Sequence, residues 1–511
     1  MESFLRSLAV SFGAAALSVL LAAILALATF GRRTLSAGFQ SGLASSFLLL
    51  PSYVVAGAWS AGFGSMGWWT LSQVTAAKAP LVGIASVIWI HAMAATPVAY
   101  WLLSLGLRRV RALPNQLART EGGMVSQFTR GIWPSWSSWL VGSFLLIAAW
   151  ISGDMVVSNL FQVRTLVEQC YLNMVSDQAT WSNTLAACSM SLILGLLGLV
   201  VIRIAWDRDK PARYNGALNE IAWGPDWLGS ICGWSVVMLV IGVPIVNLTI
   251  RAGWIPKETS LGTVERSWDL LFVLKNIVKA PRDFYQEFQW AISLACWSAL
   301  LACSIAAFIV VVVFSKFKVS SIAIRNEMDS QSGVMKSLLF AIFVGCFALP
   351  GPVVSGLVIQ LFQLPIFGLR WLNDHTLAAP MICLQFRLVP LAILAFAIFE
   401  RQWQEQVGDL WRMDADKLFT IRIGIIFRAL WKSTLAVALV LTAVAFGDLS
   451  SYLQCLPPGV TPISMRIFDL LHYGVRASEA GLLIFLVVLG SILGFGVCYT
   501  STGNAVSKDS Q

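Results

Sequence analysis

From Thr34 to Ala77 the chain carries no charged side chain, and uncharged stretches of 23 residues or more recur down its length. A water-soluble domain has no place to hide that much apolar surface. In a bilayer each stretch can form a helix of about 20 residues, which closes its own backbone hydrogen bonds and leaves none facing hydrocarbon. The whole chain has the same character: 511 residues, 57% hydrophobic, 12% charged, with a mean hydropathy of +0.75. Such a composition implies an all-α, polytopic membrane protein.

Several function classes drop out at once. The formal charge of +9 does not imply nucleic acid, because the basic residues lie in short loops between apolar stretches, as cytoplasmic positive bias requires. Nine cysteines are scattered without a C-x-x-C pair or a cluster near the three histidines, so no structural zinc, cofactor or disulfide framework is expected. The sequence has no Gly-x-x-x-x-Gly-Lys-Ser/Thr loop and no His-Glu-x-x-His. The expectation is therefore a protein that is not itself an enzyme. If it drives transport with ATP, the engine is another polypeptide. The first apolar stretch, Ser7 to Gly31, is too long for a signal-peptide core and reads as a retained helix.

Eleven spans can be drawn: 7–30, 43–66, 81–106, 137–159, 182–204, 228–250, 289–314, 337–362, 377–399, 432–453 and 480–500. Placing the loops near 31–42, 107–135, 203–227, 315–336 and 400–432 in the cytoplasm with the C-terminus puts 22 of the 35 Lys and Arg there. The acidic residues split 13 to 13, as expected when only bases report orientation. The N-terminus is then outside and the C-terminus inside. A reporter active only in the cytoplasm should give signal when fused after Gln511 and none when inserted within 255–285. The reverse pattern would reject this topology.

Two long, basic, amphipathic cytoplasmic loops, 107–135 and 400–432, each precede a span and sit at corresponding places. That is the mark of an internal duplication. It divides the chain into a first half, 1–205, a second half, 287–503, and an intervening 206–286 with an extra helix and an extracytoplasmic loop. The loops align as Gln116-Leu117-Ala118-Arg119-Thr120-Glu121-Gly122-Gly123 and Asp409-Leu410-Trp411-Arg412-Met413-Asp414-Ala415-Asp416. Each reads as a short helix, a break at the small residue, and a second helix returning to the membrane. A small residue at the break lets another protein approach the backbone closely.

With these loops the chain resembles the membrane subunits of binding-protein-dependent ABC importers, whose coupling loop carries Glu-Ala-Ala, three residues, then Gly. Here Glu-Ala-Ala is replaced by Gln116-Leu117-Ala118 and Asp409-Leu410-Trp411, and the glycine stands as Gly122 and Ala415. The segment Cys455 to Gly474, with Pro457-Pro458-Gly459, Arg466-Ile467-Phe468 and Leu470-Leu471-His472-Tyr473-Gly474, is similar to fused permeases of the ferric-iron and thiamine branch. Leu349-Pro350-Gly351 resembles the opening of a core helix in that group. The resemblance implies two repeated type I ABC importer permease halves in a bacterial inner membrane. It also implies a cytoplasmic ATP-binding subunit, as a homodimer, at Ala118, Glu121, Gly122, Asp409, Asp414 and Ala415. An extracytoplasmic solute-binding protein would then be received at Pro457, Pro458 and Gly459. Membrane lipids complete the partners, and no nucleic acid is among them. Locally, Pro457-Pro458-Gly459 also reads as plain loop punctuation, Leu349-Pro350-Gly351 as a helix kink, and His472 as a loop hydrogen-bonding residue.

Three charges stand inside spans. Asp154 and Asp448 each follow a glycine and are 294 residues apart, while Gly122 and Ala415 are 293 apart. A carboxylate at that depth must meet water or a partner. The readings are a helix-end carboxylate among headgroups, a pair facing each other along the outer translocation path, or inter-helix pairing. Arg387 has twelve uncharged residues on each side. It must snorkel, pair with Asp448, Asp154 or backbone carbonyls, or meet a water-filled route.

The expected function is thus a permease moving a small charged solute, ferric iron or thiamine-like, into the cytoplasm. The alternatives are an ion-coupled secondary transporter and a lipid-active membrane enzyme.

Overall fold

The computed structural model describes residues 2–32, 34–72, 79–110, 112–176, 181–208, 222–258, 264–309, 345–346, 348–366, 368–413 and 434–506. The chain is a multi-pass, all-α membrane protein. Among the described residues eight helices are long and apolar enough to cross a membrane, or nine if one bent pair counts as a span. Two further apolar helices, Gly351–Phe362 and Thr434–Gly447, are shorter. Parts of the spans drawn at 337–362 and 432–453 lie outside the described residues.

In chain order, α1 (Glu2–Thr29) leads into α2 (Leu35–Ser46) and α3 (Ser52–Phe63), followed by the short α4 (Trp68–Ser72). The single span expected at 43–66 is instead bent by 108° between the α2 and α3 segments. Pro51, extended at φ −63° and ψ 146°, precedes α3 and cannot donate the hydrogen bond that would continue α2. Helix α5 (Gly83–Leu107) follows, with Pro97 inside it, and then α6 (Ala112–Ser126), a π-helical turn at Gln127–Ile132, and α7 (Trp133–Ser152). The span expected to run to 159 stops at Ser152, where Gly153 and Asp154 open a turn. Two short helices, α8 (Val156–Leu160) and α9 (Leu166–Val175), precede the long α10 (Trp181–Arg208).

The intervening segment forms α11 (Asp226–Val237) and α12 (Val243–Ala252), joined through a π-helical turn at Met238–Gly242. The loop expected at 251–288 is structured. It holds an antiparallel hairpin of β1 (Trp254–Glu258) and β2 (Val264–Trp268) and a helix, α13 (Leu270–Asp283). The chain continues through α14 (Tyr285–Ile309), α15 (Gly351–Phe362), α16 (Leu369–His375) and α17 (Ala378–Met413). It closes with α18 (Thr434–Gly447), α19 (Ile463–His472) and α20 (Ala477–Val506).

Close helix approach in lipid relies on small residues and polar links rather than on the hydrophobic effect. Helix α1 packs on α5 and α7, and α14 on α17. Helix α11 meets α2 through a polar seam: Gln40 Nε2 donates to Ser230 O at 3.0 Å, and Trp234 Nε1 to Ser36 Oγ at 3.0 Å. Gly233 leaves no room there for even a methyl beside Gln40. The α11–α12 span touches α1, α2 and α3 on one side and α20 on the other, so it bridges the first and last parts of the chain.

Contacts also define two ends of the bundle. At one, Arg32 donates to Pro225 O at 2.8 Å, Arg208 to Pro134 O at 2.8 Å, and Trp223 Nε1 to Met124 O at 3.1 Å. Arg109 stacks 3.4 Å from the Trp206 ring centre at this end. At the other, Leu166 N donates to Ser7 Oγ at 2.7 Å, Arg251 Nε to Val475 O at 2.6 Å, and His472 Nε2 lies 3.1 Å from Asn159 Oδ1.

Candidate functional site

Asp154 and Asp448 each lie just past the end of an apolar helix and hold the turn that follows. Asp154 accepts from Val156 N at 2.9 Å through Oδ1 and from Ser52 Oγ at 3.2 Å through Oδ2. His91 Nδ1 of α5 lies 3.9 Å from the same Oδ2. Asp448 accepts from Ser451 N at 3.2 Å, Ser450 Oγ at 3.3 Å and Ser451 Oγ at 2.6 Å. Arg387 Nε of α17 lies 3.3 Å from Asp448 Oδ2, and its Nη2 donates to Ser450 Oγ at 3.2 Å. Among the partners open to Arg387 in the sequence, the structure selects Asp448. The Asp448 side chain is 4% exposed and that of Asp154 16% exposed, so each carboxylate is largely enclosed by its protein partners.

These two sites interlock. A Cβ on Gly447 would lie 3.0 Å from Pro51 Cγ, so the glycine before Asp448 faces the proline turn whose Ser52 holds Asp154. Reciprocally, a Cβ on Gly153 would lie 3.8 Å from Pro350 Cα, so the glycine before Asp154 faces the proline turn at the start of α15. Gly351, next in that turn, lies against the Ser450 backbone with no room for a side chain. Tyr53 OH also reaches Phe446 O at 3.5 Å. Each Leu-Pro turn thus touches one aspartate's turn directly and the other's glycine. The distant segments 50–53, 153–156, 349–352 and 446–451 are drawn into one knot.

On the Ser7 side of this knot, α8, α9 and α19 meet. Asn159 Nδ2 donates to Glu168 Oε1 at 2.6 Å, and the other carboxylate oxygen has no hydrogen-bond partner among the described residues. Glu168 is 4% exposed, and burial raises its carboxyl from the ordinary 4.5 to about 7, the Asn159 bond offsetting part of the rise. Between those values the folded protein holds a proton that the unfolded chain has released. Stability is therefore greatest below the unfolded value and falls as pH rises through the window, by about 3 kcal/mol in full. Thermal unfolding in detergent should give a lower midpoint at about pH 8 than at about pH 5, and Glu168→Gln should flatten that slope. A slope unchanged in the variant would assign the effect elsewhere.

Pro457 is buried, while Pro458 and Gly459 are exposed. Val460 N closes the turn on Pro457 O at 3.2 Å, with Gly459 at φ +82°, the third-position geometry that favours glycine in a type II turn. His472 caps its own helix, with Nδ1 2.9 Å from Phe468 O, and reaches Asn159.

At the opposite end, α6 is interrupted where the sequence places a break. Gly122 sits at φ −143° and ψ 18°, and Gly123 at φ 65° and ψ −153°, a conformation confined to glycine. Glu121, Gly122, Gly123 and Met124 are exposed, and Val125 is 75% exposed. Ala118, expected at the same surface, is instead buried at 5% exposure, because its face of α6 packs inward. Beside it Asn115 lies against Gly131, where a Cβ would come within 2.6 Å of Asn115 Oδ1. Asp409 lies in the last turns of α17, and Asp414 and Ala415 fall outside the described residues.

Sequence reasoning missed His91 and Ser52 as partners of Asp154, and Gly123 as the strained position. A usable signal existed for the first: Pro97 and Pro390 are 293 residues apart, the same offset as Gly122 and Ala415. That offset aligns α5 with α17 and brings His91 near the register of Arg387. Among the described residues no group of three or more His, Cys, Asp or Glu could hold a metal ion. No protein-family model, curated protein or solved structure matches the chain.

Proposed function

We propose that the chain is a fused, two-halved permease of a binding-protein-dependent ABC importer, driven by a separate ATPase. The observation that carries this reading is the reciprocal knot. Two stretches run in the same order: a Leu-Pro turn and short helix, then a proline-containing helix with a base, then a helix ended by Gly-Asp. Each is followed by short helices and a long closing helix. The glycine of each stretch faces the proline of the other, as expected for two like halves packed about an axis along the membrane normal. The exposed glycine break of α6, at the end rich in bases, supports the docking of a soluble partner there. The chain itself is then a transport subunit with no ATPase site.

The partners are a homodimeric cytoplasmic ATP-binding subunit and an extracytoplasmic solute-binding protein, in a bacterial inner membrane. The cargo is a small, charged, water-soluble solute, ferric iron ahead of thiamine. Purification from the native membrane should bring down a soluble ATPase, and deletion should abolish uptake of labelled iron or, failing that, thiamine. No ATPase, together with uptake that collapses under a proton ionophore, would favour an ion-coupled transporter instead. The His91–Asp154 contact, an imidazole beside a carboxylate, is the feature that suits that second reading.

A further inference from the structure

Helix α13 interrupts the expected receptor-facing loop, and its three faces are chemically distinct. At about 100° per residue, Val273, Ile277 and Ala280 share one arc, which packs on α12 and α20. The next arc holds Leu270, Leu271, Leu274 and Val278, which are 55%, 73%, 51% and 77% exposed. The third arc carries Lys275, Lys279 and Arg282, all exposed. Fourteen residues make a helix about 21 Å long, too short to cross a bilayer.

The level of α13 is fixed by the ends of spans. Asp269, its cap, donates its backbone N–H to Gly253 O at 3.1 Å, just past the end of α12. Seven residues on, Asn276 Nδ2 donates to Ala252 O at 2.9 Å, and its Cβ would lie 2.7 Å from one built on Gly481, near the start of α20. The helix then runs directly into α14 at Tyr285, which is 66% exposed, while Trp268 at its other end is 49% exposed. A helix tied at its start, middle and finish to residues at the ends of three spans sits at the level of those ends, which is where headgroups lie in a bilayer. Aromatic residues at both ends suit that depth.

We propose that α13 is an interfacial anchor. Its Leu270–Val278 face lies in the acyl boundary of the surrounding leaflet, and Lys275, Lys279 and Arg282 bind the phosphates of anionic phospholipid headgroups. Lipid is favoured over a protein partner because the neighbouring arc of α13 packs on α20, and the exposed flanks of α14 and α20, Ile292 and Val488 among them, are apolar as well. A basic edge beside an apolar face is the pattern of helices that lie in the membrane plane. Bases near an anionic surface add attraction individually, so the row acts additively.

The full chain should be reconstituted in nanodiscs of phosphatidylcholine alone and with about one third phosphatidylglycerol. Wild type is expected to gain several degrees in melting midpoint with the anionic lipid, and Lys275→Gln/Lys279→Gln/Arg282→Gln to lose most of that gain. A benzoyl-phenylalanine photoprobe at Val278 should yield phospholipid adducts in native membranes. An undiminished gain in the triple variant would overturn the headgroup site. Adducts with a soluble protein in place of lipid would overturn the interfacial placement and return α13 to receptor docking.

Discussion

Arg387→Met is expected to leave little folded protein in the membrane, whereas Arg387→Met combined with Asp448→Asn should recover a substantial part of it. The Asp448 side chain is 4% exposed, and among the described residues Arg387, with Nε at 3.3 Å, is the cation that faces it. Three donors from Ser450 and Ser451 complete its shell, but hydrogen bonds alone do not neutralise a carboxylate in a low-dielectric interior. Removing one partner of a buried pair costs about 3–5 kcal/mol, because the other charge is stranded. That is a large share of a total stability of about 5–15 kcal/mol. Asp448→Asn alone should be milder. The Arg387 side chain is 17% exposed and keeps Ser450 Oγ, and its long stem can carry the guanidinium toward water. Fluorescent size-exclusion yield and melting midpoint of the four proteins form a double-mutant cycle. A coupling of at least about 1.5 kcal/mol is expected, and an Arg387→Met protein as stable as wild type would refute the pairing as a structural pin.

The charges were the most legible part of the chain. Arg387 stands alone in a span and must find a partner; the sequence leaves Asp448, Asp154, backbone carbonyls and water open, and the structure places it on Asp448. The helices α1, α5, α10 and α14 follow from uncharged runs bounded by bases or acids. What the sequence hid is equally physical. Pro51 lies within the long uncharged run, where no charge marks a boundary, so the 108° bend of α2 and α3 was invisible to hydropathy. Helix α13 was hidden for the opposite reason: Lys275, Lys279 and Arg282 lower its mean hydropathy, although Leu270, Val273, Leu274 and Ile277 keep helical spacing. The contacts of Gly447 with Pro51 and of Gly153 with Pro350 join remote segments. No local pattern in the sequence encodes them.

On the permease reading proposed above, Gly123→Val should insert and fold nearly as wild type yet lose at least about tenfold in the substrate-stimulated ATP hydrolysis of the proposed ATPase partner, an effect of about 1.4 kcal/mol on the coupled step. Gly123 adopts φ 65° and ψ −153°, and a Cβ built there meets nothing within 4 Å. The cost of a side chain is therefore backbone strain alone, about 1–3 kcal/mol, and an exposed tip can relieve it by re-routing the break. Re-routing changes the direction in which α6 leaves α7, and with it the surface offered to a partner. Gly122 tests the same surface differently: a Cβ there would approach Ser126 Cβ at 2.5 Å, so a bulky residue both shifts the turn and fills the exposed tip. Gly122→Trp should therefore be at least as damaging to coupling. Ala118→Ser, on the buried face of α6, should act mainly on stability, which separates docking from packing within one helix. At Ala415, outside the described residues, a bulky residue is expected on the same reading to have the effect in smaller measure, since alanine already carries a methyl group where the first loop has glycine. Normal substrate-stimulated hydrolysis and uptake in both glycine variants would remove α6 from the coupling machinery. The glycine break would then stand as a turn between two helices with no partner of its own.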